Sequence, residues 1–256
     1  MKYWLSAIAV ITFLVVSAHS ARAQEEITLI APGIIQAPIE QLIPAFQAKT
    51  GRKVKATFGA VVASKEQVIH GEPFDVPLVE VPYDAEVIAS GNVVAGSATP
   101  LANVSVGVAV RKGAPKPDIS TPEAVKRMLL AAKSIAYPDP NPTGAASGIS
   151  TTEALKSLGI FEQLQPKTKL TQGGARAMAL VSSGEVEIGM TFLPGMTDPG
   201  IDIVGPLPRG VSPPTIVIGF VSSHAKDPAA AKELLTYLSS PEAAATYKAQ
   251  KFQPGR

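Results

Sequence analysis

The first third of the chain switches regularly between two hydrophobic periodicities, one typical of strands and one of helices. Short apolar or alternating segments predict strands, and apolar residues spaced three or four apart predict helices. The predicted strands are 26–31, 53–58 and 76–81, and the predicted helices are 38–49, the segment ending at 69, and 84–89. This order predicts a parallel sheet with helical crossovers, the arrangement of α/β proteins.

A second unit with the same rhythm covers 106–205. Its predicted strands are 104–111, 135–137, 169–171 and 186–192, and its predicted helices cover 121–132, the segment ending at 157, and 175–183. Residues 206–214 contain four prolines, which is typical of a connector. The chain then returns to a strand over 215–222 and closes with helices over 228–238 and 241–249.

The N-terminus has the pattern of a secretory signal peptide. Lys2 precedes an apolar run over 7–16, and Ala21 and Ala23 form an A-x-A site. The run is too short to span a bilayer as a stable helix. We therefore expect residues 1–23 to be a signal peptide cleaved before Gln24, and the mature protein to be exported to the periplasm.

Charge and cysteine content narrow the possible partners. After removal of residues 1–23, 21 basic and 21 acidic residues remain. This balance argues against nucleic acid or an anionic membrane surface as a partner. The chain has no cysteine, so it forms no disulfide and has no thiolate chemistry.

Catalytic and cofactor motifs are poorly represented. His70 and His224 lie in separate halves without acidic neighbours at metal-ligand spacing, and His70 suits a helix C-terminal turn. Ser147 lies one place too late for the G-x-S-x-G motif of hydrolases. No dinucleotide fingerprint or phosphate-binding loop is present. We therefore expect no enzyme activity, cofactor or metal, and a hydrolase using Ser147 is the competing hypothesis.

Four bends of small residues follow predicted strands and precede predicted helices. They lie at 32–36, 59–63, 143–148 and 172–175. Bends at the carboxyl ends of parallel strands share one face, and helix starts offer backbone N–H donors to an anion. Ser147 or Ser150 is expected to cap the helix that follows the third bend. If the two halves face each other, all four bends line one cleft.

Several stretches resemble the periplasmic molybdate-binding-like solute-binding proteins of ABC transporters. The resembling stretches are 30–60, 68–76, 150–160 and 175–192. The most specific is the helix–Thr–Gly–strand join between Phe46 and Val54, ahead of a Phe–Gly–Ala bend. The resemblance implies a type II periplasmic-binding-protein fold, an α/β fold of two lobes. Each lobe would be a mainly parallel sheet flanked by helices, with two crossover connections between them.

This resemblance also implies the domain boundaries and the mode of action. Lobe 1 is expected over 24–105 plus 207–256, and lobe 2 over 106–206. The lobes would close over a small-molecule ligand by hinge motion and present it to an ABC permease in the inner membrane. We expect the protein to act as a monomer.

Three positions depart from the molybdate-binding pattern. Family members place Ser hydroxyls in the first two bends and a Tyr hydroxyl after the last strand, whereas this chain has Ile34, Val61 and Phe192 there. A buried dianion would lose charge-assisted hydrogen bonds worth about 1.5–3 kcal/mol each. These substitutions argue against molybdate and favour a ligand with an apolar part.

The hypothesis is therefore a small organic anion, a carboxylate, bound between the lobes. Its acid group would lie near Thr143, Ser147 or the Gly173–Gly174 bend. Arg176 is either a bidentate clamp or a solvated helix-face residue, and Gln36 either a donor to the ligand or a helix cap. The backbone would approach the ligand at Gly33, Ala60, Gly148 and Gly174. The competing ligand hypothesis is an inorganic oxyanion held by backbone amides, and the competing role is that of an orphan periplasmic ligand sensor.

Overall fold

A computed structural model of the protein describes residues 26–141 and 145–255. The signal-peptide prediction and Thr143 lie outside these ranges. The strands are β1 (Ile27–Pro32), β2 (Val54–Gly59), β3 (Val76–Glu80), β4 (Thr99–Val104), β5 (Val106–Arg111), β6 (Ile135–Pro138), β7 (Thr168–Thr171), β8 (Ile188–Phe192), β9 (Ile201–Pro206), β10 (Thr215–Gly219) and β11 (Gln253–Pro254).

The helices follow the strands in the predicted rhythm. They are α1 (Gln36–Thr50), α2 (Val61–Ile69), α3 (Asp84–Ala89), α4 (Pro122–Ala131), α5 (Ala146–Ser157), α6 (Phe161–Leu164), α7 (Gly174–Ser182), α8 (Pro228–Leu238) and α9 (Pro241–Ala249). The predicted stop at Gly51 is confirmed, since Gly51 adopts a left-handed φ of 73° at the end of α1. No helix in the described ranges combines the length and apolar character that crossing a membrane requires.

The strands form two sheets, each the centre of one lobe. Lobe 1 has the strand order β11-β4-β10-β3-β1-β2, and lobe 2 the order β7-β6-β8-β5-β9. In lobe 1, β1 is parallel to both β2 and β3, and β10 runs antiparallel between β3 and β4. In lobe 2, β6 is parallel to β7 and β8, and β5 is antiparallel to β8 and β9. The predicted α/β class is confirmed, and both sheets are mixed: β1–β3 and β6–β8 form parallel pairs, and the other strands add antiparallel pairs.

The chain crosses between the sheets twice. The strand predicted over 104–111 corresponds to β5 but begins two residues too early, because the chain leaves β4 at Val104, passes Ser105 and enters β5 in the other sheet. The second crossing lies between β9 and β10, where residues 207–214 contain neither helix nor strand, as the prolines there predict. Both crossings join the same two lobes.

Apolar faces of the helices pack against both sheets. In α1, Ile39, Leu42 and Phe46 are buried in the same core cluster as sheet residues of lobe 1 such as Leu29 and Leu78. The same core cluster continues into lobe 2 through Val106 and its neighbours. The junction between the lobes is thus packed.

Candidate functional site: the cleft between the lobes

The carboxyl ends of the parallel strands in both lobes adjoin the lobe junction. In lobe 1, β4 is parallel to β3, because both are antiparallel to β10, and β4 ends at the first crossing. In lobe 2, Val106 at the start of β5 pairs with Phe192 at the end of β8. Since β8 is parallel to β6, and β6 to β7, all three strands end at this junction. We call the space between these two edges the interlobe cleft.

Four helices begin at this cleft, and their first residues share a chemical property. These helices are α1, α2, α5 and α7, which follow β1, β2, β6 and β7. Their N-cap residues are Ile35, Ala60, Ala145 and Gly173, and none makes a side-chain capping hydrogen bond. Because these residues carry no side-chain oxygen, no capping side chain occupies the first backbone N–H groups of α2, α5 and α7, which leaves them to a ligand. At α1 fewer donors remain, since the Gln36 N–H donates to the Gly33 carbonyl oxygen and Pro38 has no N–H.

The first bend lies directly beside the second. A Cβ atom built on Gly33 would lie 3.6 Å from the carbonyl oxygen of Gly59, so the two turns are in contact. Ile34 is half-buried and packs against the main core. Gln36 is exposed at the first position of α1, and its Nε2 donates to Glu40 Oε1 at 2.8 Å. The amide is thus engaged along its own helix in this state.

The second bend presents an exposed backbone above a buried side chain. Ala60 is exposed and has extended dihedrals, φ −62° and ψ 144°. Val61 is only 6% exposed, whereas Val62 beside it is 37% exposed. The apolar residue that this bend offers to the surface is therefore Val62 more than Val61.

In lobe 2, the starts of α5 and α7 converge on one threonine of β8. Ser147 Oγ lies 3.2 Å from Thr191 Oγ1, and a Cβ atom on Gly174 would clash with the same Oγ1 atom. A Cβ atom on Gly148 would clash with the carbonyl oxygen of Pro138, so glycine there allows close helix–strand packing. The prediction that Ser147 or Ser150 caps α5 is wrong, because Ala145 takes that place and Ser147 lies inside the first turn.

Two further predicted ligand contacts, Arg176 and Phe192, lie in contrasting environments: one is exposed and the other is buried. Arg176 is exposed on α7, and its charge, after the larger effect of Lys169, helps to lower the pKa of Glu185 beyond the helix end. This surrounding suits a solvated helix-face arginine better than a clamp. Phe192 is 2% exposed and belongs to the main core cluster. Ligand contact by either residue stays a prediction.

A hydroxyl pair joins the two lobes and was not foreseen from the sequence. Ser150 Oγ on α5 lies 3.3 Å from Thr215 Oγ1 at the start of β10. Thr191 is a further unforeseen residue of the cleft edge. A polar residue near the carboxyl end of an otherwise apolar strand is the signal that could have indicated Thr191.

Glu80 is the most unusual side chain at the cleft edge. It is the last residue of β3 and is 2% exposed, and its Oε1 atom has no hydrogen-bond partner among the described residues. Burial raises the pKa of its carboxyl group to about 8. The same sequence signal as for Thr191, a polar residue at the carboxyl end of an apolar strand, is present here, because Glu80 ends the strand VPLVE.

Across residues 26–141 and 145–255, no group of three or more His, Asp or Glu side chains is placed to hold a metal ion. The arrangement at the cleft is instead one of backbone donors, hydroxyl groups and apolar side chains. Such a set can bind an anion with an apolar part and orient it between the lobes.

Two α/β lobes joined by two crossings, with an interlobe cleft, define a type II periplasmic binding protein. The model of the family described as "bacterial extracellular solute-binding protein" matches residues 27–253. The chain belongs to this family, whose members in ABC transport bind small ligands and work with membrane permeases. The resemblance to molybdate-binding-like proteins is confirmed.

Individual relatives differ in what their names say they do. The chain is 31% identical over 242 residues to an aconitate isomerase from a Pseudomonas species, covering 92% of this chain and 90% of the relative. It is 30% identical over 256 residues to the molybdate-binding protein ModA of Azotobacter vinelandii, covering 97% and 98%. A solved substrate-binding domain of a putative molybdenum ABC transporter from Clostridium difficile superposes with a TM-score of 0.77 at 16% identity, covering 90% of this chain and 99% of that one.

Proposed function

We propose that this protein captures a small organic acid in the interlobe cleft in the periplasm and presents it to an ABC permease in the inner membrane. Lobe 1 would consist of 24–105 plus 207–256, and lobe 2 of 106–206. The two lobes would close over the ligand, and the protein would act as a monomer without a cofactor. The observation that carries the proposal is the set of four helix starts at the cleft whose N-cap residues have no side-chain oxygen.

The charge preference of the site follows from these helix starts. Each helix directs the positive end of its dipole toward the cleft, and α2, α5 and α7 add first-turn N–H groups that no side chain caps. Ser147, Thr191 and the lobe-bridging pair Ser150–Thr215 add hydroxyl groups. These groups suit a carboxylate, since hydrogen bonds to an ionised acceptor are roughly twice as strong as neutral ones.

The apolar residues favour an organic anion over a metal oxyanion. Ile34 is half-buried at the first bend, and Val62 is exposed at the second. A tetrahedral oxyanion would gain no favourable contact from either side chain. One relative is named for aconitate, a tricarboxylic acid, which agrees with a carboxylate ligand. Another is named for molybdate, which makes an oxyanion held by backbone amides the competing ligand.

The test is a thermal-shift screen of the mature protein, followed by calorimetry, because a ligand that binds only the native state raises the melting temperature. The panel contains cis- and trans-aconitate, citrate, malonate, succinate, molybdate and sulfate. We expect a clear shift with at least one carboxylate and none with molybdate. A shift with molybdate and none with any carboxylate would contradict the proposal.

A second candidate function is isomerisation of such an acid. It is favoured by the relative named aconitate isomerase and by the buried carboxyl group of Glu80 at the cleft edge. Proton NMR of cis-aconitate incubated with the protein tests it directly. Stable binding without conversion would support capture, and conversion at a catalytic rate would replace capture by catalysis.

Hydrolysis and sensing have less support. A hydrolase using Ser147 needs a base at its hydroxyl, and among the described residues the partner of that hydroxyl is the Thr191 hydroxyl, which is no base. An orphan sensor would use the same cleft but a different membrane partner. Pull-down of the permease by the ligand-bound protein distinguishes transport from sensing.

A further inference from the structure

Glu80 lies where the first bend meets the lobe junction. It pairs with Val217 of β10 on one side. On its other side, β1 and β3 are in parallel register from Leu29 and Val76 onward, and continuing that register places Gly33 beside Glu80. The carboxyl group is therefore attached to the backbone at the cleft edge of the lobe 1 sheet.

The side chain is on the face of the sheet that leads to the other lobe. Residues paired directly across antiparallel strands share a face, as do residues two apart on one strand. Glu80 thus shares a face with Val217, and through it with Thr215, two positions nearer the junction. Thr215 Oγ1 is 3.3 Å from Ser150 Oγ of α5, so this face meets lobe 2 at the start of a cleft helix.

The carboxyl group lacks the partners that a buried acid normally has. Buried polar atoms are almost always hydrogen-bonded, and a partnerless one points to something that completes it. Glu80 Oε1 is such an atom within the described part of the chain, in a side chain that is 2% exposed. A ligand seated at the cleft edge would supply the missing contact.

We propose that Glu80 is a ligand-binding residue, whose protonated carboxyl group donates a hydrogen bond to an anionic oxygen of the organic acid in the cleft. Binding of the acid is then coupled to the proton on Glu80. This inference rests on the proposed function above and adds a specific contact from lobe 1. It also explains why a carboxyl group can face an anion without repelling it.

The surroundings of Glu80 set the pH range of this coupling. Burial raises its pKa to about 8, so the group is mostly protonated at neutral pH. The neighbouring strands β1 (ITLIAP) and β10 (TIVIG) contain no ionisable residue, nor do the turn Gly33–Ile35 and the first turn of α5.

The ionisable groups linked to Glu80 in the structure are Tyr83, which follows β3, and Lys65 of α2 beside the Tyr83 ring. Tyr83 follows in the next turn, and its pKa is raised by burial and then by the charge of Glu80. Lys65 lies 5.1 Å from the Tyr83 ring centroid, and it is paired with Glu86 at 2.8 Å and with Glu66 at 3.0 Å. The Lys65 charge is thus already neutralised by carboxylates.

The sign of the pH dependence follows from the raised pKa. In the ligand-free protein, the folded state keeps the Glu80 proton over a range where the unfolded state has lost it. Stability from this group is therefore full below the unfolded pKa near 4.5 and is lost as pH rises through about 8. Affinity for an anion falls above pH 8, because an ionised Glu80 repels the ligand and has no proton to donate.

The test compares wild type with Glu80→Gln and Glu80→Met, and uses Glu72→Gln as a matched control. Glutamine keeps a donor without a titrating proton, and methionine keeps the volume without a donor. Glu72 is exposed in the loop that precedes the start of β3, at the opposite end of the strand from Glu80. Calorimetry with citrate, succinate and propane-1,2,3-tricarboxylate is performed between pH 6.5 and 9.5, and the pH dependence of unfolding is measured without ligand.

In the wild type and in Glu72→Gln, we expect Kd to rise by about tenfold per pH unit above 8, as one linked proton requires. Glu80→Gln should bind at pH 6.5 with a Kd near that of the wild type and lose this pH dependence. Glu80→Met should bind about tenfold more weakly at pH 6.5. Both Glu80 variants should also lose the decrease in stability between pH 6.5 and 8.

The outcomes separate this inference from the proposed function. If a carboxylate binds, but all variants share the wild-type Kd and pH profile, Glu80 makes no contact and only this inference is overturned. If no carboxylate binds any of the proteins, the proposed function fails and this inference fails with it. A pH-independent Glu80→Gln protein beside a pH-dependent Glu72→Gln protein supports the assignment.

Discussion

The helices of nine or more residues in the described ranges fall into two groups that differ in how their first N–H groups are satisfied; the short helices α3 and α6, which begin at Tyr83 and Ile160 without a side-chain cap, belong to neither. Away from the cleft, α4, α8 and α9 begin with Thr121, Asp227 and Ser240. Their side-chain oxygens accept from the N–H groups of Ala124, Ala230 and Ala243 at 3.1, 2.9 and 3.2 Å. Each of these helices also has proline at its first position, a favourable start.

At the cleft, α1, α2, α5 and α7 begin with Ile35, Ala60, Ala145 and Gly173. A capping side chain there would satisfy the same N–H groups that an anion needs, and would compete with it. Replacing a capping residue by Ala typically costs about 1 kcal/mol. Under the proposed function, stability is given up at the helix starts that face the proposed ligand and kept where the helices only support the fold.

Adding an acidic cap at the cleft should have the largest effect. Ala60→Asp places a carboxylate on the extended N-cap of α2, where it can accept from the helix N–H groups. We expect ligand affinity to fall by about 100-fold or more, because like charges brought together cost several kcal/mol. Stability without ligand should rise by about 1 kcal/mol. Calorimetry and chemical denaturation measure the two quantities.

The matched control for this change is Ser240→Asp, which exchanges one cap for another at the start of α9. We expect both affinity and stability to stay within about 0.5 kcal/mol of the wild type. Unchanged affinity in Ala60→Asp would mean that the start of α2 does not face the ligand. The division of helix starts would then have no functional meaning at that position.

The same comparison explains how much was predictable from the sequence. The predicted helix over 38–49 corresponds to α1, and those over 121–132, 228–238 and 241–249 correspond to α4, α8 and α9, because helix periodicity is local. The bends were also predictable, since small residues after a strand and before a helix are a local pattern. The prediction of the α5 cap was wrong, because Ser147 and Ser150 resemble capping residues in sequence but lie inside the helix.

Properties that depend on distant partners were not predictable. One apolar run over 104–111 is divided between two sheets at Ser105, and no local signal marks the division. β4 and β9 were missed because Pro100 and Gly205 interrupt their patterns. Thr215 contacts Ser150 across 65 positions, and Glu80 is buried by strands far from it in sequence. These contacts exist only once the sheets have formed.

Removing a cap away from the cleft should have a moderate effect on stability alone. Ser240→Ala and Thr121→Ala each delete the oxygen that accepts from the third helical residue. We expect the free energy of unfolding to fall by about 1 kcal/mol in each variant. Ligand affinity should change by less than about twofold, since both helices begin outside the cleft. Urea denaturation and calorimetry provide the measurements, and a large loss of affinity in either variant would remove the contrast between the two groups.

The smallest expected effect concerns the hydroxyl pair that joins the lobes. Ser150→Ala and Thr215→Val delete its two members while nearly keeping their volumes, and the hydrogen bond at 3.3 Å is long. We expect a coupling free energy of about 0.5 kcal/mol in a double-mutant cycle measured by denaturation. The control cycle pairs Ser150→Ala with Thr236→Val, whose hydroxyl bonds within α8 to the Lys232 carbonyl, and should be additive. Additivity in the first cycle as well would mean that this contact does not hold the lobes together, and that the cleft is kept in shape by the packed core at the junction.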